Sequence, residues 1–212
     1  KIKLEFSTLK KKNKIIIFDL DGVLINSLPN MRKALNLTSN KVNMKLSFKK
    51  YKKFLGLPFE KILKKMKIKK NYKEIKKYYE YYSLKYIDKI KIKKIFLKEL
   101  KKLKKDYFLA IFTSKSKKRT KKIINKYKIF DDCVTIDDVK KGKPMPEGLL
   151  KILKKFNIDK KEAVYVGDSI YDYQCAKNAN ILYLHAKWGY ERSNKIKKLI
   201  NITNLTKIKK FL

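Results

Sequence analysis

Hydrophobic and polar positions divide this chain into short, uniformly apolar runs separated by longer stretches of mixed periodicity. Residues 14–18 (KIIIF), 107–112 (YFLAIF), 163–166 (AVYV) and 181–184 (ILYL) are continuous apolar runs bounded by charge or turn residues. That is the pattern of a strand buried on both faces of a parallel sheet. Residues 133–136 (CVTI) are a weaker candidate. Between the runs, apolar residues recur at three and four spacing, as in Leu149, Leu150, Leu153 and Phe156, or Ile123, Ile124 and Tyr127, which predicts amphipathic helices. Strands alternating with helices predict an α/β fold built on a doubly wound parallel sheet.

The alternation is interrupted once. Residues 27–90 read as helix throughout, which predicts a small all-helical cap domain inserted into a core made of residues 14–26 and 91–212. Ser27 is placed to cap the first helix, with Pro29 in its first turn and Met31, Leu35 and Leu37 facing inward. Gly56-Leu57-Pro58 breaks the next helical stretch, and residues 60–66 resume it. Residues 71–88 carry Tyr72, Ile75, Tyr79, Tyr82 and Tyr86 at helical spacing. Such a stripe suits the core of a small helical domain, or a stacking surface for an aromatic ligand.

At 212 residues with 44% apolar composition, the chain is long enough for a substantial core plus an accessory domain. No stretch approaches the roughly 20 apolar residues of a membrane span, and the first apolar run ends too early for a signal-peptide core, so the expected location is cytoplasmic. Residues 1–13 read as a tail before the first strand. Cys133 and Cys175 lack ligand-like spacing and are expected to be ordinary thiols.

The net charge of +39 invites a nucleic-acid or membrane reading. Of 58 basic residues, however, only Arg32, Arg119 and Arg192 are arginine, and it is arginine's planar fork that makes bidentate contacts to bases and phosphates. A solvated lysine surface, with no specific nucleic-acid or membrane partner, is the expectation. It would still draw in anionic small molecules.

The candidate chemistry lies just past the strands. The first run leads directly into Asp19-Leu20-Asp21-Gly22, two carboxylates at alternate positions with a glycine that allows close backbone approach. The carboxyl ends of parallel strands are where such sheets bind ligands. Asp19 can attack phosphorus to form an acyl phosphate. Asp21 can protonate the leaving oxygen and then activate water. The second run ends in Thr113-Ser114, a hydroxyl and backbone donors suited to a phosphoryl oxygen or, equally, to capping a helix. Lys143, in a proline-containing loop, can neutralise substrate phosphate and nucleophile together. Gly167-Asp168-Ser169-Ile170-Tyr171-Asp172 follows the third run. Its carboxylates could cap a helix or ligate magnesium, and the pair already present after the first run favours the metal. His185, the sole histidine, reads as structural.

FDLDGVLINS, IFTSK, KGKPMPE and VGDSIYD, in that order, resemble the four motifs of the haloacid dehalogenase superfamily, and more narrowly its phosphoglycolate-phosphatase-like and β-phosphoglucomutase-like members with a helical cap. The resemblance spans nearly the whole chain from Lys14. It implies that Asp19 is nucleophile and magnesium ligand, and that Asp21 is acid/base and binds the metal through its carbonyl. Asp168 would be the third metal ligand, with Asp172 nearby or acting through water. Thr113, Ser114, Lys143 and the Gly22 turn would hold the phosphoryl group. The implied substrate is a small phosphomonoester, the implied cofactor Mg2+, and the implied assembly a monomer or weak dimer. Asn26 stands where relatives often have aspartate, and charged residues replace a Pro-Gly turn around positions 89–94. Trp188-Gly189-Tyr190 resembles a packing turn beside the site. A phosphosugar mutase, or a polyanion-binding protein with a degenerate site, are the alternative readings.

Overall fold

The computed structural model describes residues 12–190 and 199–212. Most of the expected tail, residues 1–11, and Arg192 lie outside the described residues. Six parallel strands form one sheet: β1 (Ile15–Phe18), β2 (Phe108–Phe112), β3 (Asp132–Val134), β4 (Ala163–Gly167), β5 (Leu182–Ala186) and β6 (Asn201–Ile202), in the order β3-β2-β1-β4-β5-β6. The α/β fold class read from the apolar runs is the fold observed. The two-residue β6 was not anticipated.

Eight α-helices accompany the sheet among the described residues: α1 (Leu28–Lys41), α2 (Phe48–Lys52), α3 (Phe59–Lys65), α4 (Tyr72–Lys85), α5 (Lys94–Asp106), α6 (Lys117–Ile124), α7 (Glu147–Phe156) and α8 (Ile170–Ala179). All four residues of β1 are fully buried because helices cover both faces. Ile16 and Phe18 pack on one side with Leu109, Ile111, Val166 and Leu100. Ile15 and Ile17 pack on the other with Phe112, Tyr165, Ile152 and Cys175. At roughly 1.5–3 kcal/mol for each large apolar side chain removed from water, β1 alone anchors both layers. It pairs with β2 on one side and β4 on the other. Its carboxyl end is therefore the switch point at which the strand order reverses, where open α/β sheets bind ligands.

Helices α1 to α5 lie in the connection from β1 to β2, and α1 to α4 share a third cluster including Met31, Leu35, Tyr51, Leu63, Ile75 and Tyr79. Within it, the Phe59 and Tyr79 rings stack at 4.2 Å and the Tyr51 and Tyr79 hydroxyls lie 3.0 Å apart. The aromatic stripe is thus core at Ile75 and Tyr79, and only half-buried at Tyr72, Tyr82 and Tyr86. Three local expectations are corrected. Ser27 makes no side-chain cap on α1, and its hydroxyl donates to Asp21. Leu37 is half-buried, and the inward place is taken by Thr38, whose hydroxyl is satisfied by Ala34 O at 2.8 Å. Leu150 is exposed beside buried Leu149 and Leu153. The chain crosses into the helical insert and back as neighbours, since Ile25 and Ile92 form an antiparallel bridge.

Candidate active site

Three strand ends converge on one cavity of about 1040 Å³, closed on its far side by the helical insert. Asp19, Asp21, Thr113, Ser114 and Asp168 all line it, with Gly56, Lys61, Tyr79 and Glu80 contributed by the insert. Asp19 follows β1 directly, and its N–H still donates into the ladder, to Val166 O at 2.8 Å. Its carboxylate is 4% exposed.

Lys143 is fully buried behind Asp19, away from the cavity wall. Its ammonium donates to Asp19 Oδ1 at 2.6 Å and to Asp172 Oδ1 at 2.8 Å, between the rings of Phe112 and Tyr165. Asp172 is held from the other side as well. The Tyr165 hydroxyl donates to its Oδ1 at 2.8 Å, and Oδ2 accepts from Ser169 Oγ at 2.6 Å and Ser169 N at 3.1 Å in a capping box that starts α8. Asp172 is therefore both helix cap and counter-ion.

Burial pushes the Asp19 carboxyl up to about 7, the charges of Asp172 and Asp21 adding to the rise and Lys143 opposing it. Burial also raises Asp168 well above the carboxylate range, with Asp172 and Asp19 adding to it. For Asp172 burial acts upward too, but the Lys143 charge and the hydrogen bonds from Lys143, Ser169 and Tyr165 outweigh it and hold the group low. Lys143 is raised, its two carboxylates overcoming the opposing effect of burial.

Asp168 sits in a cradle of two glycines. A Cβ on Gly22, which has φ +87°, would lie 2.1 Å from Asp168 Oδ2, and one on Gly189 would lie 2.1 Å from Asp168 Cβ. Among the described residues the Asp168 carboxylate takes one hydrogen bond, from Tyr190 N to Oδ2 at 2.5 Å, and no ion pair. Carboxylate oxygens of Asp19, Asp168 and Asp172 all lie within 4.8 Å of one another. Hard oxygen donors, burial and a carboxylate without a counter-charge are the environment a small divalent cation fits. Gly22, expected at the phosphoryl group, abuts Asp168 rather than the cavity.

Asp21 does not turn toward Asp19's partners. Its Oδ1 accepts from Ser27 Oγ and its Oδ2 pairs with Lys115 Nζ at 3.0 Å. Thr113 is buried on the wall, where its Oγ1 accepts from Lys115 N at 3.2 Å in a local turn. Ser114 Oγ reaches across to Gly56 O at 2.6 Å. His185 is buried with Tyr183 OH 3.1 Å from its Nδ1, and it is not on the cavity wall. Tyr190 hydrogen-bonds through its hydroxyl to Ser27 N at 2.7 Å, so the turn after β5 packs against both carboxylate segments.

Sequence reasoning missed the partners of Asp21. Lys115 follows Thr113-Ser114 directly, but one lysine among so many carries no signal. In the sequence Arg119 stands out only as one of three arginines. It is 5% exposed on α6 and donates to Glu80 Oε1 at 3.0 Å, while Ser116 Oγ donates to Glu80 Oε2 at 2.8 Å, joining α6 to α4 beside the cavity. Its rarity in this chain was the available clue.

Residues 16–186 match the family model described as haloacid dehalogenase-like hydrolase. A pyrophosphatase PpaX of Bacillus velezensis is 32% identical over 125 residues, covering 53% of this chain and 57% of that protein. A phosphoglycolate phosphatase of Psychrobacter arcticus is 36% identical over 104 residues, covering 47% of this chain and 45% of that one. The chain thus spans about half the length of these curated relatives. Among solved structures, a candidate phosphoglycolate phosphatase from Lactobacillus plantarum superposes with a TM-score of 0.85 at 23% identity, over 95% of this chain and 100% of that one. At that identity the likeness is one of fold.

Proposed function

The chain belongs to the haloacid dehalogenase-like hydrolase family, and on that premise we propose that it is a magnesium-dependent phosphatase of small phosphorylated metabolites that works through a phosphoryl group on Asp19. The observation that carries the reading is the ion pair of Lys143 with Asp19 beside an uncompensated Asp168, at the floor of a cavity made by three strand ends.

Asp19 Oδ1 is held by Lys143, and Oδ2 has no hydrogen-bond partner among the described residues. Oδ2 is the oxygen free to attack phosphorus. As that bond forms, the bond from phosphorus to the leaving oxygen breaks, and Asp21 delivers a proton to the leaving oxygen. Asp21 then takes a proton from a water that attacks the phosphoryl-aspartate, releasing phosphate and restoring the Asp19 carboxylate. Lys143 offsets the charge of Asp19 throughout and fixes its orientation through Asp172. Thr113 and the backbone after it receive the phosphoryl oxygens. Mg2+, held by Asp19, Asp168 and the Asp21 carbonyl with Asp172 near by, supplies charge neutralisation to the transferring group when bound. Residues 27–90 act as the cap that excludes bulk water from the core of residues 14–26 and 91–212. The names of the relatives, each matched over about half its length, make pyrophosphate and phosphoglycolate the first substrates to try.

Phosphate release from a panel of phosphomonoesters and pyrophosphate, with and without Mg2+, tests the reading against an Asp19→Asn variant. Magnesium-dependent turnover that the variant lacks is the expected result. Equal turnover by the variant would remove Asp19 as nucleophile. Slow release with accumulation of a sugar bisphosphate would mark a mutase instead.

A further inference from the structure

Lysine in this chain is a surface residue, and among the described residues only Lys115 and Lys143 are buried lysines. Lys143 is balanced by two carboxylates. Lys115 is not. Its side chain is 2% exposed, it stands on the cavity wall, and its ammonium has one carboxylate partner, Asp21 Oδ2 at 3.0 Å. An ammonium has three N–H donors, and burying one costs several kcal/mol unless its partners are complete. The Asp21 carboxylate is itself shared, since Oδ1 accepts from Ser27. The guanidinium of Arg119 adds positive potential from α6, and Glu80, its own partner, is engaged by Arg119 and Ser116. A buried ammonium with two spare donors therefore faces the cavity beside the proposed proton-transfer residue.

We infer that Lys115 is the docking point for a second anionic group on the substrate, carried by the leaving group. The inference rests on the phosphatase reading for its geometry. To protonate the leaving oxygen, Asp21 must meet it, and Lys115 is bound to that same carboxylate. A charge one or two bonds beyond the leaving oxygen then falls within reach of Lys115, whereas a neutral alcohol leaves its spare donors unmet. The substrates selected are phosphoanhydrides, or phosphomonoesters whose leaving group bears a carboxylate or second phosphate close to the ester oxygen. Esters of uncharged alcohols are selected against, because the spare N–H donors of a buried ammonium are left unmet in their complexes.

Calorimetric binding of two non-hydrolysable ligands, methylenediphosphonate and methylphosphonate, at one fixed Mg2+ concentration, tests this without turnover. The wild type is expected to bind the diphosphonate at least tenfold more tightly. In Lys115→Met that advantage falls below threefold, and Lys115→Arg retains most of it; Lys115→Gln serves if the methionine variant does not fold. A wild type without the preference overturns the inference, and needs no variant to do so. So does a preference that survives loss of Lys115, or an equal loss of affinity for both ligands, which would make Lys115 a support for Asp21 alone. If the preference holds while the wild type hydrolyses nothing in the phosphomonoester panel, the phosphatase reading fails and the anion site stands.

Discussion

Lys143 Nζ and Asp172 Oδ1 lie 2.8 Å apart with neither side chain exposed, bridging the loop before α7 to the first turn of α8. Removing one partner of a buried pair leaves the other charge without compensation, at a cost of about 3–5 kcal/mol. Lys143→Met is expected to lower the urea midpoint of unfolding accordingly. The double variant Lys143→Met/Asp172→Leu is expected to recover part of that loss without recovering activity. A Lys143→Met protein as stable as wild type would show that the pair is not what holds the loop.

Gly22→Ala places a Cβ at φ +87° and 2.1 Å from Asp168 Oδ2. Backbone strain alone costs on the order of 1–3 kcal/mol, and the clash displaces the carboxylate. The expected outcome is a lower melting temperature together with weaker retention of Mg2+, measured by calorimetric titration. Unchanged Mg2+ affinity would mean that Asp168 does not hold the ion.

Mg2+ should stabilise the wild type against thermal unfolding, because Asp168 is buried with one hydrogen bond and no counter-charge. At a hundredfold excess over Kd the gain is about 2.7 kcal/mol. Asp168→Asn, which removes the charge but keeps the shape, is expected to melt at the same temperature with and without the ion. A shift preserved in that variant would place the cation elsewhere.

The thiols give a pH-linked prediction. Burial pushes Cys133 and Cys175 each up to about 12, and the thiolate is the reactive form. At pH 8 only roughly one molecule in 10⁴ carries a given thiolate, rising tenfold per pH unit. Titration with a disulfide reagent at pH 8 is expected to find both thiols slow in the folded protein and fast in denaturant. Rapid labelling of Cys175, the fully buried thiol, would contradict the burial.

The strands were legible because a run such as IIIF, uniformly apolar and ended by aspartate, has few other uses. The same property made the strand ends visible, and with them Asp19, Thr113 and Asp168. β6 was not legible, since Asn201–Ile202 is two residues long and is defined by its pairing with β5 rather than by any pattern of its own. Ser27 reads as a helix cap from local sequence. Its actual partner, Asp21, is decided by how the chain turns after β1. Lys143 is marked in the sequence by its proline-containing loop, but Lys115 shows the limit of composition as evidence: a buried lysine and a solvated one are the same letter, and only the packing around the three strand ends separates them.

The bridge between Ile25 and Ile92 has a mechanical consequence. Two independent tethers would let the helical insert swing and twist about either one. Held side by side by the bridge, they join the helical insert to the core as one paired connection rather than two separate ones. The bonds from Ser114 Oγ to Gly56 O and from Arg119 to Glu80 fasten the helical insert to the strand ends a second time, so its place opposite them is set at two points rather than one.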